Sequence, residues 1–189
     1  MSRIVVLVSG RGSNLQALID AKQTGQIQSQ IVGVISNKAD AAALTRAQNA
    51  GIPTQVIPSR GRDNSIFFSE LLQAVMTLSP DWVVLAGFMK ILPATFVKAL
   101  WGKIINIHPS LLPLFPGLNA QEQALRAGAS ETGCTVHFVD EGCDTGPILL
   151  QKKIAILPND TPEILSQRLL PYEHAGLVEA IQILERSKI

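Results

Sequence analysis

The sequence predicts an open α/β fold: a mostly parallel, doubly wound, Rossmann-like sheet with an antiparallel hairpin added near the C-terminus. Three observations carry that expectation. Short runs rich in Val and Ile alternate with helical patterns from the first residues onward. Most of these runs lack polar–apolar alternation, as strands covered on both faces of a parallel sheet do. After Pro109 the grammar changes: prolines cluster, and the last two strand-like runs are separated only by a Gly-rich turn.

The expected parallel strands are RIVVLV (3–8), IVGVIS (31–36), TQVI (54–57), WVVLA (82–86) and KIINI (103–107). Between them, residues 13–25, 40–51, 64–79 and 93–100 carry apolar side chains at three- and four-residue spacing. The first two of these segments end on Gly25 and Gly51, as helix C-termini often do. Right-handed crossovers then place helices on both faces of the sheet. Residues 109–121, PSLLPLFPGLNAQ, read as a long surface loop around a short helix. CTVHFVD (134–140) and PILLQKKIAI (147–156) read as strands joined by the turn EGCDTG. From about Pro162 to Ser187 the pattern is helical, and Pro171 is expected to break or kink it. With no repeat, low-complexity tract or linker, residues 1–189 are expected to form one domain.

Composition narrows the function classes. Apolar residues make up 47% and charged residues 16%, enough for a sizeable core and too few charges for long disorder. Lys plus Arg number 16 against 15 for Asp plus Glu, a net charge of +1 that argues against a broad nucleic-acid surface. A small anionic ligand, which needs only a local pocket, stays open. No apolar run has the length of a membrane span, and RIVVLV is too short for a signal peptide. Cys134 and Cys143 lack partners at zinc-finger spacing, so no metal is expected and both read as reduced thiols of a cytoplasmic protein.

The first βα turn, Ser9-Gly10-Arg11-Gly12-Ser13-Asn14, exposes backbone N–H groups at a helix N-terminus, where the dipole favours an anion. Ser13 and Asn14 add side-chain donors, and a phosphate is the natural guest. A dinucleotide is not: Leu15 takes the third glycine position, and Asn37-Lys38 stands where a ribose-binding acid is expected. No Lys-Ser/Thr follows the glycines, so the turn is not a P-loop either.

In such a sheet, ligands sit beyond the carboxyl ends of the strands. Asn106 and His108 fall there, two residues apart in extended chain, with side chains on one side. Pro109 keeps His108 out of helical dihedrals. An amide and an imidazole aimed together suit acyl chemistry, the amide stabilising an oxyanion and the imidazole exchanging protons. Asp144, in EGCDTGP, is the candidate that tunes the ring. With no serine at a nucleophile elbow and no Cys–His pair, direct attack by a substrate amine is favoured over a covalent intermediate. His137 reads equally as a support of this cluster or as sheet filling, and Glu173 with His174 reads by default as solvated helix surface.

Taken in order, SGRGSNLQALI, SNKADAAAL, DWVVLAGFMKIL, NIHPSLLPLFPGL, TGCTVHFVDEGCDTGPILLQ and YEHAGL resemble the phosphoribosylglycinamide formyltransferases of the folate-dependent formyltransferase family, over essentially the whole chain. The resemblance implies formyl transfer from 10-formyltetrahydrofolate, as co-substrate, to the amine of glycinamide ribonucleotide in purine (IMP) synthesis. It implies Asn106, His108 and Asp144 as catalytic residues, with Thr135 and His137 supporting them. Gly12, Ser13 and Asn14 would hold the substrate phosphate, and Glu173 the glycinamide amine. Met89, Lys90, Ile91 and Leu92 would flank the folate pteridine, with Asn106 and the segment Val139, Asp140, Glu141, Gly142, Cys143 and Asp144 completing that side. The N-terminal half would thus bind the ribonucleotide, and the C-terminal half would bind folate and catalyse. A monomer or homodimer is expected, with small-molecule partners and neither nucleic acid nor membrane.

Four positions depart from the family's pattern and bear on the folate tail: Asn64 and Lys90 stand where Arg is common, and Asn119 and Gln121 where some members have His. Lys lacks the fork with which Arg grips a carboxylate. Two relatives share the core. A methionyl-tRNA formyltransferase would be expected to carry a basic C-terminal extension, and a formyltetrahydrofolate deformylase an N-terminal regulatory domain. The remaining alternative is a non-catalytic nucleotide-binding module, against which the presence of His108 and Asp144 argues.

Overall fold

The computed structural model of the chain describes residues 1–187. Its strands are β1 Arg3–Val8, β2 Gln30–Ser36, β3 Thr54–Val56, β4 Trp82–Leu85, β5 Ile104–His108, β6 Glu131–Phe138 and β7 Ile148–Ala155. Its helices are α1 Ser13–Gln23, α2 Ala42–Asn49, α3 Asn64–Thr77, α4 Ala94–Ala99, α5 Ala120–Arg126 and α6 Pro162–Arg186. Among the described residues the strands form one seven-stranded sheet in the order β3-β2-β1-β4-β5-β6-β7. Pairings among β1 to β5 are parallel, and β6 and β7 add antiparallel. This is the mixed, doubly wound sheet that the sequence predicts.

β1 shows why its sequence does not alternate. Ile4, Val6 and Val8 pack into one core layer with Leu15 and Leu18 of α1 and Leu177 and Ile181 of α6. Val5 and Leu7 pack into the opposite layer with Phe67 and Leu71 of α3 and Phe96 of α4. All five are fully buried, each such side chain contributing about 2 kcal/mol of transfer free energy. Both early helices stop as expected, with Gly25 and Gly51 just past their ends in left-handed conformation.

Two expectations are corrected. Pro171 does not break the last helix, which runs unbroken from Pro162 to Arg186. Pro171 leaves the Gln167 carbonyl without a helical donor, and both residues are exposed. Leu165 and Leu169 before it, and Leu177, Ile181 and Leu184 after it, are buried on the core side and hold the helix through the proline. Nor is the 109–121 segment a surface loop throughout. Ser110, Leu111 and Leu112 are buried, and only from Pro113 does it come out to solvent before α5.

The strand order reverses between β1 and β4, which is where an open α/β sheet forms its ligand crevice. The turn after β1 and the segment after β4 meet there, with the Met89 N–H donating to Ser9 Oγ at 2.8 Å. Ser9 Oγ in turn donates to Asn37 Oδ1 at 2.6 Å, tying the end of β2 to the same crevice. Among the described residues no helix is long and apolar enough to cross a membrane.

Candidate active site

The turn after β1 is held open by Gly12, which caps α1 with φ 74° and offers no side chain to the helix. A Cβ at Gly12 would lie 2.5 Å from Ala43 Cβ, because the turn packs directly on the start of α2. The Ala43 N–H also donates to the Gly10 carbonyl at 3.0 Å. The first intrahelical donor is Gln16, onto the Gly12 carbonyl, so the N–H groups of Ser13, Asn14 and Leu15 precede the helical ladder. These are the N–H groups that the sequence reading assigns to an anion.

The Asn14 side chain is engaged differently from expectation. It is buried, and its Nδ2 donates to Glu173 Oε2 at 3.2 Å, while its Oδ1 is buried without a partner. Glu173 is therefore no solvated surface residue. It is 9% exposed, and burial raises its carboxyl above the ordinary range against the opposing pull of Asn14 and Arg11. His174 is half-buried, its Nε2 lacks a partner, and burial lowers its ring pKa.

The second cluster lies on the other face. Ile105 and Ile107 of β5 point into the α1–α6 layer, so Asn106 and His108 point to the opposite side. His108 is buried, with Nδ1 3.3 Å from Asp144 Oδ2 and Nε2 2.9 Å from the Phe115 carbonyl. Both ring nitrogens therefore face acceptors. Asp144 sits in the left-handed region, φ 56°, which Asp tolerates better than most residues. Its Oδ2 also accepts from the Gly117 N–H at 2.9 Å, and its Oδ1 lies 3.6 Å from His137 Nε2. Burial by itself would raise this carboxyl; the contact with His137, the Gly117 N–H and the nearby His108 outweigh it and hold Asp144 at about 2.

β6 supports the pair from the next strand, with Asn106 opposite His137 and His108 opposite Thr135. Thr135 Oγ1 donates to the Ser110 carbonyl at 2.7 Å and accepts from the Leu112 N–H and from Gln151 Nε2. It anchors the buried start of the loop whose later carbonyl, at Phe115, reaches His108. His137 touches both Asn106 and Asp144, which takes it out of the sheet-filling reading.

The structure thus joins Asn106, His108, Asp144, His137 and Thr135 in one cluster and pairs Asn14 with Glu173 in another. No hydrogen bond or ion pair links the two clusters among the described residues. Backbone groups missed from the sequence, the Phe115 carbonyl and the Gly117 N–H, complete the first. They carry no side-chain signature, and only the Pro-Gly pair at 116–117 hinted at a shaped turn.

Of the remaining predicted residues, Met89 and Ile91 are largely exposed and Leu92 is buried beneath them. A groove of about 550 Å³ continues from Ile91 between α3 and α4, past Asn64, Phe68 and Phe96. Arg62, near Asn64, is held by Glu70 in a 2.6 Å ion pair. In the 139–144 segment, the Val139 N–H donates to the Ile104 carbonyl, and Asp140 Oδ1 closes its own turn by accepting from the Gly142 N–H and Thr145 Oγ1. Glu141 pairs with Lys98 at 3.4 Å. Cys143 is exposed, with Sγ 3.8 Å from Asp144 Oδ2, and its thiol is raised by partial burial and by that carboxylate.

Residues 2–181 match the family described as formyl transferase. The chain belongs to that family. It is 46% identical to phosphoribosylglycinamide formyltransferase of Escherichia coli, over 91% of this chain and 82% of that enzyme. It is 50% identical to the trifunctional purine biosynthetic protein adenosine-3 of Drosophila pseudoobscura pseudoobscura, over 96% of this chain but only 14% of that protein's length. The chain therefore spans a small part of the trifunctional relatives it matches. Among solved structures, glycinamide ribonucleotide transformylase 1 of Symbiobacterium toebii superposes with a TM-score of 0.96 at 42% identity, covering 99% of this chain and 89% of that one. A formyltetrahydrofolate deformylase of Pseudomonas syringae shares the fold at 29% identity and TM-score 0.89, covering 95% of this chain and 60% of that one.

Proposed function

We propose that this chain transfers the formyl group of 10-formyltetrahydrofolate to the amine of glycinamide ribonucleotide, a step of purine (IMP) synthesis. One observation carries the reading beyond the family: Asn106, His108 and Asp144 converge on one face of the same strand edge that presents the N–H groups of Ser13 and Asn14. Catalysis and an anion handle are then available to a single substrate lying across the edge.

In this reading the amine nitrogen attacks the formyl carbon, and a new C–N bond forms while the carbonyl oxygen takes up charge. The Asn106 amide and the His108 ring donate to that oxyanion. Asp144 holds the ring in place through Nδ1 and, through water, takes the proton released by the amine. As the bond from carbon to the folate N10 breaks, that nitrogen takes up the proton that the amine released, relayed back through the same water. Because Nε2 of His108 now bonds the Phe115 carbonyl, that carbonyl withdraws when the formyl oxygen takes its place.

Gly12, Ser13 and Asn14 hold the phosphate. Glu173, bonded to Asn14 and without contact to Asn106, fits the ribosyl end better than the attacking amine expected from the resemblance. Met89 to Leu92 and Val139 to Asp144 receive the pteridine, and the groove past Asn64 and Phe68 takes the tail. The partners are these two small molecules, acting on a monomer or homodimer in the cytoplasm, with no metal in the scheme.

The test is a folate absorbance assay on purified protein. Turnover is expected only when glycinamide ribonucleotide is supplied. Turnover with water alone points to a deformylase, and no turnover points to a nucleotide-binding module.

A further inference from the structure

We propose that Arg46 of α2 is a positioning residue for the substrate phosphate: by holding the Arg11 carbonyl, it aims the Gly12 N–H at the anion. The inference deepens the formyl-transfer reading and rests on it for the kinetic consequence, not for the geometry.

Arg46 Nε donates to the Arg11 carbonyl at 2.8 Å, and its Nη1 donates to Gln16 Oε1 at 3.2 Å. Gln16 Nε2 in turn donates to Asp20 Oδ1 at 2.8 Å, so the guanidinium is braced on α1 while it grips the turn. The preceding carbonyl, that of Gly10, accepts from the Ala43 N–H of the same helix at 3.0 Å. α2 therefore holds two successive carbonyls of the turn on its own side. In a trans peptide the carbonyl and the N–H of one unit point in opposite directions. Both of these peptides are trans, so the N–H groups of Arg11 and Gly12 point away from α2. Gly12 continues in left-handed conformation, φ 74° and ψ 30°, ahead of the N–H groups of Ser13 and Asn14. Successive N–H groups in such a turn form a concavity that takes an anion.

Two observations mark this concavity as built for a ligand. Gly12 is buried, yet neither its N–H nor that of Arg11 donates to another group among the described residues. Asn14, itself 9% exposed, keeps Oδ1 buried without a partner in the same first turn of α1. Arg46 acts on the concavity from behind. Without its charged grip the Arg11–Gly12 peptide is free to turn over, and a carbonyl oxygen then meets the phosphate in place of a donor.

The first test is steady-state kinetics of Arg46→Met, which keeps the stem and removes the donors. The Michaelis constant for glycinamide ribonucleotide should rise roughly tenfold, as for loss of a charge-assisted hydrogen bond, with turnover and the constant for the formyl folate within about twofold. Arg46→Lys, which offers the carbonyl one charged donor, should recover part of that loss. The discriminating substrate is the glycinamide ribonucleoside, which lacks the phosphate. With it, wild type and Arg46→Met should have the same kcat/KM. An unchanged constant for the ribonucleotide overturns the proposal. So does an equal loss with both substrates, which would make Arg46 a support of the fold and not of the phosphate.

The second test is nitrogen–proton NMR of the uniformly labelled chain titrated with inorganic phosphate. The Arg11 and Gly12 amides should shift with phosphate in wild type, and the titration midpoint should rise roughly tenfold in Arg46→Met. Unmoved amides in wild type, or equal midpoints in the two proteins, overturn the proposal. This arm needs no turnover. A chain that binds phosphate in this way yet transfers no formyl would defeat the functional reading and leave the role of Arg46 standing.

Discussion

The turn at Gly10–Asn14 and the cluster at Asn106, His108 and Asp144 share one edge of the sheet but are made of different material. The turn is local: five consecutive residues and the start of one helix supply its donors, mostly from backbone, and Gly12 against Ala43 sets its shape. The cluster is assembled: residues from β5, from β6, from the loop at 115–117 and from the turn at 144 must all arrive together. A locally built anion site suits ground-state binding. An assembled, buried and charge-tuned cluster suits chemistry, because its hydrogen bonds are fixed before charge develops. Mutations on the two sides should therefore separate turnover from binding.

The largest expected effects lie in the cluster. His108→Ala and Asp144→Asn should each lower turnover by about 100-fold or more, with smaller changes in the Michaelis constants. Near-normal steady-state rates in either variant would erase the contrast between the two sides. Asp144 also makes a stability prediction. Its folded value of about 2 lies below the ordinary 3.8, so its ionised form stabilises the fold above that ordinary value, and the contribution is lost as pH falls through the folded one. Thermal melts of wild type and Asp144→Asn should converge as pH is lowered from 4 toward about 2.

On the turn side, Gly12→Ala tests local construction. A side chain there meets Ala43 and must hold φ 74°, so a loss of about 2–3 kcal/mol is expected in denaturant melts. A stable Gly12→Ala protein would mean that the turn relaxes easily and is not prebuilt. Glu173→Gln should move stability and binding in opposite directions. Burial raises this carboxyl, so ionising it as pH climbs weakens the fold. At neutral pH the amide should raise the melting temperature by about 2 °C, while the Michaelis constant for the ribonucleotide rises several-fold. A variant that is both less stable and fully able to bind would remove Glu173 from the substrate site.

The same contrast explains what was legible in the sequence. The unalternating runs announced the buried strands, and the period of two in Asn106-Ile107-His108 announced which side chains share a face. The phosphate turn was readable because glycines and a helix start are written consecutively. What escaped was whatever depends on tertiary approach. The Phe115 carbonyl and the Gly117 N–H are backbone groups that every residue but proline possesses in full, so nothing in residue type marks them. Glu173 read as exposed because a carboxylate on a helix is solvated by default, and the packing of α6 against α1 buries it with Asn14 on the same face as Leu169 and Leu177. Pro171 misled for the related reason that local propensity was outweighed by the apolar contacts on both sides of it.

Ser13→Ala is the smallest effect and the sharpest probe of the difference. If the phosphate is held chiefly by backbone N–H groups at the start of α1, deleting one hydroxyl removes a single donor and leaves the dipole intact. The Michaelis constant for glycinamide ribonucleotide should then rise roughly fivefold, about 1 kcal/mol, with turnover nearly unchanged. An unchanged constant would leave the site to backbone alone and remove the Ser13 side chain from it. A fall in turnover as large as that of His108→Ala would mean that phosphate binding also places the amine, and the separation between a binding side and a chemical side would fail.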